Sequence, residues 1–139
     1  MATAEEGLFD LLHRDGDLQS LVGSRVYPRD AVPSDAGLPR VTYLLVSTLR
    51  VQVLRGTTTG KAPLFQIDCW GQDIAKAKAV ATAVAAIFQD GYRGALGESG
   101  ITSKGTIVTE ESDENEPANS GEETGIHRVR LGVRIHHAA

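Results

Sequence analysis

The chain has a single cysteine, no long run of apolar residues and no excess of basic charge. Cys69 alone cannot form an internal disulfide, and neither the N-terminus nor any other segment has an apolar run of membrane-spanning length. The net charge of −4 and the pI near 5.5 do not give the basic footprint that binding to nucleic-acid phosphates requires. We therefore expect a soluble protein made in the cytoplasm, or an assembly built there, without sequence-specific DNA binding.

The 139 residues fit one domain, and their charge is unevenly placed. Residues 110–125 hold seven of the 18 acids and no base, so the rest of the chain has 14 bases against 11 acids. This segment has no bulky apolar residue whose burial would offset the entropy lost on ordering. We predict one domain over residues 1–139 with an acidic loop at 110–125, which carries Glu110, Glu111, Asp113, Glu114, Glu116, Glu122 and Glu123.

Residues 64–88 join a strand to a helix through one sharp boundary. The strand, 64–70, alternates Phe65, Ile67 and Cys69 with polar residues, as a half-buried strand does. Gly71 ends it, and the carboxylate of Asp73 can then cap the first N–H groups of a helix. One helical face carries Ile74, Ala77, Ala81, Val84, Ala85 and Phe88, with Val80 and Ile87 at its margin.

The opposite side of this helix is also apolar, with Ala75, Ala79, Ala83 and Ala86 interrupted only by Lys76 and Thr82. A helix that is apolar nearly all round is usually buried on more than one side, so an N-terminal helix or a neighbouring subunit could cover it. Alanines selected for helix propensity on a solvated face are an equally good reading.

The remaining elements complete a helix, hairpin, helix, hairpin order. We predict a helix at 3–13, a short turn capped by Asp17 and ended by Gly23, and strands at 41–54, 101–109 and 128–135. This order indicates an α+β fold: a four-stranded, mostly antiparallel sheet with a long hairpin arm and with helices packed on one face. We also predict that the arm, Val51 to Phe65, reaches an adjacent subunit, because its alternating apolar residues exceed what one small core covers.

The sheet face away from the helices carries a row of bases. Arg128, Arg130 and Arg134 alternate with the apolar residues of the last strand, and Arg50 and Gln52 are predicted to join them. Such a face is either solvated or docked on a partner. Together with the hairpin's Arg55 and Lys61, these residues form the candidate interface with another subunit or with a tube: Arg50, Gln52, Arg55, Lys61, Arg128, Arg130 and Arg134.

Four segments in this order resemble a known family. They are DLQSLVGSRVYP, LPRVTYLLVS, FQIDCWGQDIAKAKAVATAV and the terminal HRVRLGVRIHH. Together they resemble the small tail completion or tail terminator proteins of long-tailed bacteriophages. The strongest pair is LVGSRVYP and QIDCWGQDIAKA, and residues 110–125 lie outside the resemblance.

The resemblance implies a structural, non-enzymatic role in the virion without a cofactor. Proteins of this family form a six-membered ring that caps the tail tube and joins the tail to the head connector, with DNA passing through the lumen. A head-side neck or closure ring is the alternative, and a monomeric binding module is a more remote one. The acidic loop is then expected to line the lumen or to pair with a neighbour's basic surface.

Other motifs give weaker alternatives. GTTTGK at 56–61 has one residue too few between its glycines for a phosphate-binding loop, and no Ser or Thr follows the lysine. Cys69 with Asp68 and one of the histidines, His13, His127, His136 or His137, could be assembled into a nucleophile and base, but an inward cysteine on a strand is typical of a core. Predicted catalytic, cofactor and metal residues are therefore none, although the acidic loop has calcium-type ligands and a metal site shared between subunits could use His127, His136 and His137.

Overall fold

In the computed structural model the described residues are 3–33, 37–52, 58–88, 94–95, 101–116 and 126–138. Three helices are α1 (Ala4–Arg14), α2 (Gly16–Val22) and α3 (Ile74–Phe88), and a single 3₁₀ turn covers Arg29–Ala31. The strands are β1 (Val26–Pro28), β2 (Arg40–Gln52), β3 (Thr58–Gly71), β4 (Gly94–Ala95), β5 (Thr102–Glu116) and β6 (Ile126–Ala138).

The strands form one sheet in the order β1-β2-β3-β6-β5-β4. The four long strands at its centre pair antiparallel throughout, as expected from the sequence. Two short strands extend the predicted sheet: β1 pairs parallel with β2 over three residues, and β4 adds two residues beside β5. The α+β fold is confirmed, with the strand count raised from four to six.

The core lies between the helices and one face of the sheet. Alternate residues of β2, β3 and β6 point into it because side chains on a strand alternate between faces. Val41, Cys69 and Val129 lie side by side across these strands, and each is buried. On the helix side the core is completed by Leu8, Leu12, Leu18, Val22, Ala77, Val80, Ala81, Val84 and Phe88.

Local capping sets the helix boundaries. The Thr3 hydroxyl accepts from the Glu6 N–H at 3.1 Å and begins α1. Asp15, and not the predicted Asp17, caps α2, since its carboxylate accepts from the Leu18 N–H at 3.0 Å. Gly23 ends α2 with a φ of 60°, a left-handed conformation that favours glycine.

The strand-to-helix boundary forms as predicted. Asp73 accepts from the Lys76 N–H at 2.8 Å, and α3 begins at Ile74. Gly71 allows this turn to close, because a Cβ there would lie 2.6 Å from the Ala77 backbone nitrogen. The helix therefore lies directly against the end of β3.

The alanine side of α3 is solvent-exposed in the single chain. Ala75, Ala79 and Ala86 are exposed and Ala83 is half-buried, whereas Ile74, predicted on the inner face, is 37% exposed. Helix α2 contacts α3 but leaves these positions open. A neighbouring subunit and simple helix propensity both remain as explanations of the alanines.

A β-bulge in β2 overturns part of the predicted alternation. The register with β3 shifts between Leu45 and Ser47, so Thr48, Leu49 and Arg50 face the side opposite to the predicted one. Leu49 pairs with Ala62 on the sheet face opposite α1, α2 and α3, the helix-free face, and is 57% exposed. Arg50 pairs with Lys61 and lies on the helix side, away from the β6 arginines.

Strand β5 is longer than predicted. Residues 110–116, placed in the acidic loop by the sequence, continue β5 and pair with β6 from Gly132 to Ile126. Their low apolar content did not prevent pairing because the partner strand supplies the backbone hydrogen bonds. Residues 117–125, with Glu122 and Glu123, lie outside the described residues.

Candidate interaction surfaces

The helix-free face of the sheet has a buried carboxylate at its centre. Asp68 has a side chain only 2% exposed, although none of the described α-helices lies on this face. Arg130 Nε lies 3.6 Å from Oδ1 of Asp68, and Arg128 Nη1 lies 4.0 Å from Oδ2. Gln66 donates its side-chain N–H to Oδ2 at 3.1 Å. The guanidinium groups and the amide therefore cover Asp68 and compensate its charge.

Trp70 continues this network toward one end of the sheet. The Arg128 guanidinium carbon lies 4.9 Å from the Trp70 ring centroid, and that of Arg40 lies 5.3 Å from it, as in cation–π contacts. The indole Nε1 donates to the Thr42 hydroxyl at 3.0 Å. These contacts hold the long polar side chains against the sheet. The helix-free face is therefore an ordered surface with charges of both signs.

The predicted interface residues separate into two groups. Arg128, Arg130 and Arg134 lie on the helix-free face as predicted, and Arg134 donates to the Ala62 carbonyl at 2.7 Å. Arg50 and Lys61 lie together on the other side of the sheet. The remaining two are Gln52, which pairs with Thr58 at the end of the hairpin, and Arg55, which lies outside the described residues.

The predicted hairpin arm projects less than expected. Gly60, Lys61 and Leu64 of β3 pair with β6, so much of the hairpin belongs to the sheet. Only the last pairs of β2 and β3 extend beyond this, and residues 53–57 lie outside the described residues. The proposed contact of the hairpin with an adjacent subunit stays a prediction.

The acidic residues of β5 alternate between the two faces. Glu111 pairs with Leu131 and Asp113 with Val129, so both lie on the helix side, where Lys78 of α3 contacts Asp113 at 3.0 Å. Glu110 pairs with Gly132 on the helix-free face. Glu114 and Glu116 pair with Arg128 and Ile126 in the strand register.

A groove lies between α1, β1 and β2. Its volume is about 740 Å³. Burial, and then the negative charges of Glu5 and Asp30, raise the pKa of Tyr43 at its base. The Phe9 ring lies 6.3 Å from that of Tyr43, so the groove has an aromatic wall. It is lined by Thr3, Glu5, Glu6, Phe9, Asp10, Pro28 and Tyr43.

Cys69 has the environment of a core residue. Its side chain is fully buried, and burial, followed by the charges of Asp68 and Glu111, raises the pKa of its thiol far above the ordinary range. A thiol that stays protonated and inaccessible is a poor nucleophile. The interpretation of Cys69 as a core residue is confirmed, and the geometry gives no support to a cysteine hydrolase.

The other motif-based alternatives find no support among the described residues. Residues 58–61 of GTTTGK lie in β3, so this motif leads into a strand and not into the helix that a phosphate-binding loop requires. His127 and His137 lie near opposite ends of β6, and His13 stacks on Phe9 at 5.3 Å. In the described part of the chain no three His, Cys, Asp or Glu residues cluster as metal ligands do.

None of the described helices combines the length and the apolar character that a membrane-spanning helix needs.

The sequence pattern predicts the arginine row but not its partner. The alternation of residues 64–70 puts Asp68 on the face opposite Cys69 without indicating a partner, and nothing in the pattern distinguishes Trp70 or Arg40. The signal that could have found this partner is a lone acid on a strand that is otherwise typical of a core. A buried carboxylate needs a compensating cation, and the last strand carries arginines at alternate positions. Only the register of β3 and β6, which sets Asp68 opposite Arg130, brings these residues together.

Comparisons with known proteins agree with the resemblance read from the sequence. Residues 6–102 match the family described as tail completion protein gp17. A chain in the virion of a native gene transfer agent particle has the same fold, with 22% identity and a TM-score of 0.71 over 95% of this chain and 92% of that one. No curated protein matches. The chain therefore belongs to the tail completion protein gp17 family, and it is a structural protein of the phage tail or neck.

Proposed function

We propose that this chain forms a six-membered ring that caps the tail tube and joins the tail to the head connector. Membership of the tail completion family over residues 6–102 carries this proposal. The role is structural and not enzymatic, with assembly in the cytoplasm of the bacterial host and final residence in the virion. DNA passes through the lumen of the ring without sequence-specific contacts.

The helix-free sheet face supports a protein-docking role for its arginines. Asp68 already compensates Arg128 and Arg130, and Trp70 holds Arg128 in place. Arginines fixed in this way present a planar, partly neutralised surface suited to protein contacts, whereas free cations in a lumen would retain phosphate and slow DNA. We therefore assign this face to a protein partner and expect a neutral or acidic lumen.

The acidic side chains of β5 are the candidates for the lining of the lumen or for a contact with a neighbouring subunit. Glu110, Glu111 and Asp113 are all exposed, and of these Asp113 already has a cationic neighbour in Lys78. Carboxylates repeated around a ring repel one another unless bases of a neighbouring subunit or ring compensate them. Their place in the ring is thus set by where the next subunit's bases lie.

Mass measurement in solution tests the ring. The purified chain should form one closed species of several subunits as its concentration rises, visible as rings by electron microscopy. It should also cap isolated tail tubes. A chain that stays monomeric at high concentration and leaves tubes uncapped would overturn the proposal. Rings that bind head connectors but not tubes would instead assign the chain to the head-side neck.

A further inference from the structure

Strand β2 has an open edge over most of its length. Strand β1 pairs only with Val41 to Tyr43, and among the described residues no other strand pairs with that side of β2 between Leu44 and Gln52. Residues 46–50 are exposed without exception, so neither face of this part is covered. An uncovered edge strand presents a row of backbone N–H and C=O groups that can pair with another strand.

Strand β5 has a second open edge at the other end of the sheet. Strand β4 pairs only with Thr102 and Ser103. Within the described ranges, residues 104–116 have no strand on that side, while their other side pairs with β6. The two open edges therefore lie on opposite ends of the same sheet.

Exposed apolar side chains concentrate on these two strands. Among the described residues, the large hydrophobic side chains more than half exposed are Val46, Leu49 and Ile107, at 52%, 57% and 55%. Leu49 pairs with Ala62 and Ile107 with Arg134, which places both on the helix-free face. If the two edges met, Leu49 and Ile107 would lie on the same face of the joined sheet, and the neighbouring strand would cover part of each side chain.

The charges on the two edges are opposite. The sequence from Val41 to Ile67 has no acid and three bases, Arg50, Arg55 and Lys61. Residues 104–116 have five acids and one base. Arg50 and Glu111 both lie on the helix side of their strands, so pairing of the edges would bring opposite charges to the same face.

We propose that the β2 edge of one copy pairs with the β5 edge of the next, so that the sheet continues from subunit to subunit. This inference rests on the proposed ring and names its subunit contact. In a cyclic ring the copies are related by rotation about the ring axis, so a given strand runs in the same direction along that axis in every copy. Because β2 and β5 run in opposite directions within one sheet, the new pairing is antiparallel.

The charges also favour pairing of β2 with β5 over pairing of two β2 edges or of two β5 edges. Two β5 edges would place acids against acids, and like charges directly opposite each other on adjacent strands are destabilising. Two different edges that complement each other form a head-to-tail contact, which closes into a ring when the rotation allows it. The bulges in β2 and β5 interrupt each edge but leave regular runs at residues 47–51 and 110–116.

A mixing experiment tests the head-to-tail contact. Leu49→Asp places an acid on the β2 edge, and Ile107→Asp places one on the β5 edge. Each variant alone should be monomeric, with a subunit dissociation constant raised at least about tenfold. Mixed together, they retain one intact edge of each kind and should give a dimer of two 14.8 kDa chains, measured by light scattering. Leu21→Asp, on a 37%-exposed helical position, is the matched control and should leave rings intact.

The outcomes separate this inference from the ring itself. Wild-type rings together with ring formation by both single variants would overturn the edge pairing and leave the ring standing. Folded variants that are monomeric but fail to form the mixed dimer would also overturn it. A wild-type chain that never assembles overturns both.

Charge-reversal substitutions give a second test of the edge pairing. They lie at exposed positions, where we expect little effect on folding. Arg50→Glu and Glu111→Lys should each weaken assembly alone, and their mixture should recover it. Assembly of either variant at the wild-type concentration would count against the pairing.

Discussion

Asp68 shows how one side chain organises a sheet face. Its carboxylate is buried between Arg128 and Arg130 and also accepts from Gln66. Removing the charge in Asp68→Asn leaves two largely buried cations without their carboxylate, which costs far more than losing an exposed pair. We expect a loss of about 2–4 kcal/mol in the free energy of unfolding, measured by urea denaturation.

The matched control for Asp68 is Asp113→Asn, which removes the exposed pair with Lys78. Exposed pairs contribute about 0–1 kcal/mol, so this variant should unfold close to wild type. Equal effects of the two substitutions would show that burial of Asp68 does not matter.

Cys69 makes stability depend on alkaline pH. Its thiol pKa is raised in the folded chain, first by burial and then by Asp68 and Glu111. The unfolded chain loses this proton above about pH 8.5 while the folded chain keeps it. The contribution to stability is therefore complete below that pH and declines above it, by about 1.4 kcal/mol between pH 7.5 and 9.5.

Urea unfolding at both pH values measures this decline, and Cys69→Ala provides the comparison. The alanine variant is less stable overall because it leaves a cavity, but it should lack this part of the pH dependence. An identical decline in both proteins would assign the effect to other groups.

At the scale of elements, the close approach of β3 and α3 depends on Gly71. A Cβ at this position would meet the Ala77 backbone nitrogen at 2.6 Å and the Lys76 carbonyl carbon at 3.1 Å. Backbone atoms cannot move aside as a flexible side chain can, so Gly71→Ala should shift the helix. We expect a loss of about 1–3 kcal/mol in unfolding free energy, measured by thermal or urea denaturation.

Gly105 in β5 is the control for Gly71, because a Cβ there would meet nothing within 4 Å. Gly105→Ala should leave stability unchanged or raise it slightly, since alanine reduces the freedom of the unfolded chain. Similar losses at both positions would refute the steric explanation.

At the scale of the whole molecule, the acids of residues 110–123 should govern assembly. Replacing the seven with Gln or Asn removes the charge opposite the basic hairpin of the next subunit, and it also removes repulsion between acids around the ring. We expect weaker ring formation at low salt and a smaller dependence on salt, measured by light scattering from about 50 to 500 mM salt. Unchanged assembly, tail docking and DNA ejection throughout would show that these acids have no role in assembly.

The sequence by itself determined most local elements and the inward faces of β3 and β6. Alternation along residues 64–70 and 128–135, the Gly71 and Asp73 boundary and the cysteine in the core are all decided by neighbours along the chain, so pattern was sufficient. The order of four segments also carried the resemblance to the tail completion family, whose model matches residues 6–102.

Tertiary pairing decided what depends on register. The bulge after Leu45 moved Arg50 to the helix side and exposed Leu49, and pairing with β6 made residues 110–116 a strand despite their acidity. Asp68 meets its arginines only across strands that are about 60 residues apart in sequence. The open edges of β2 and β5 likewise follow from strand order, since whether an edge is free depends on which strands lie beside it, and local pattern does not encode this.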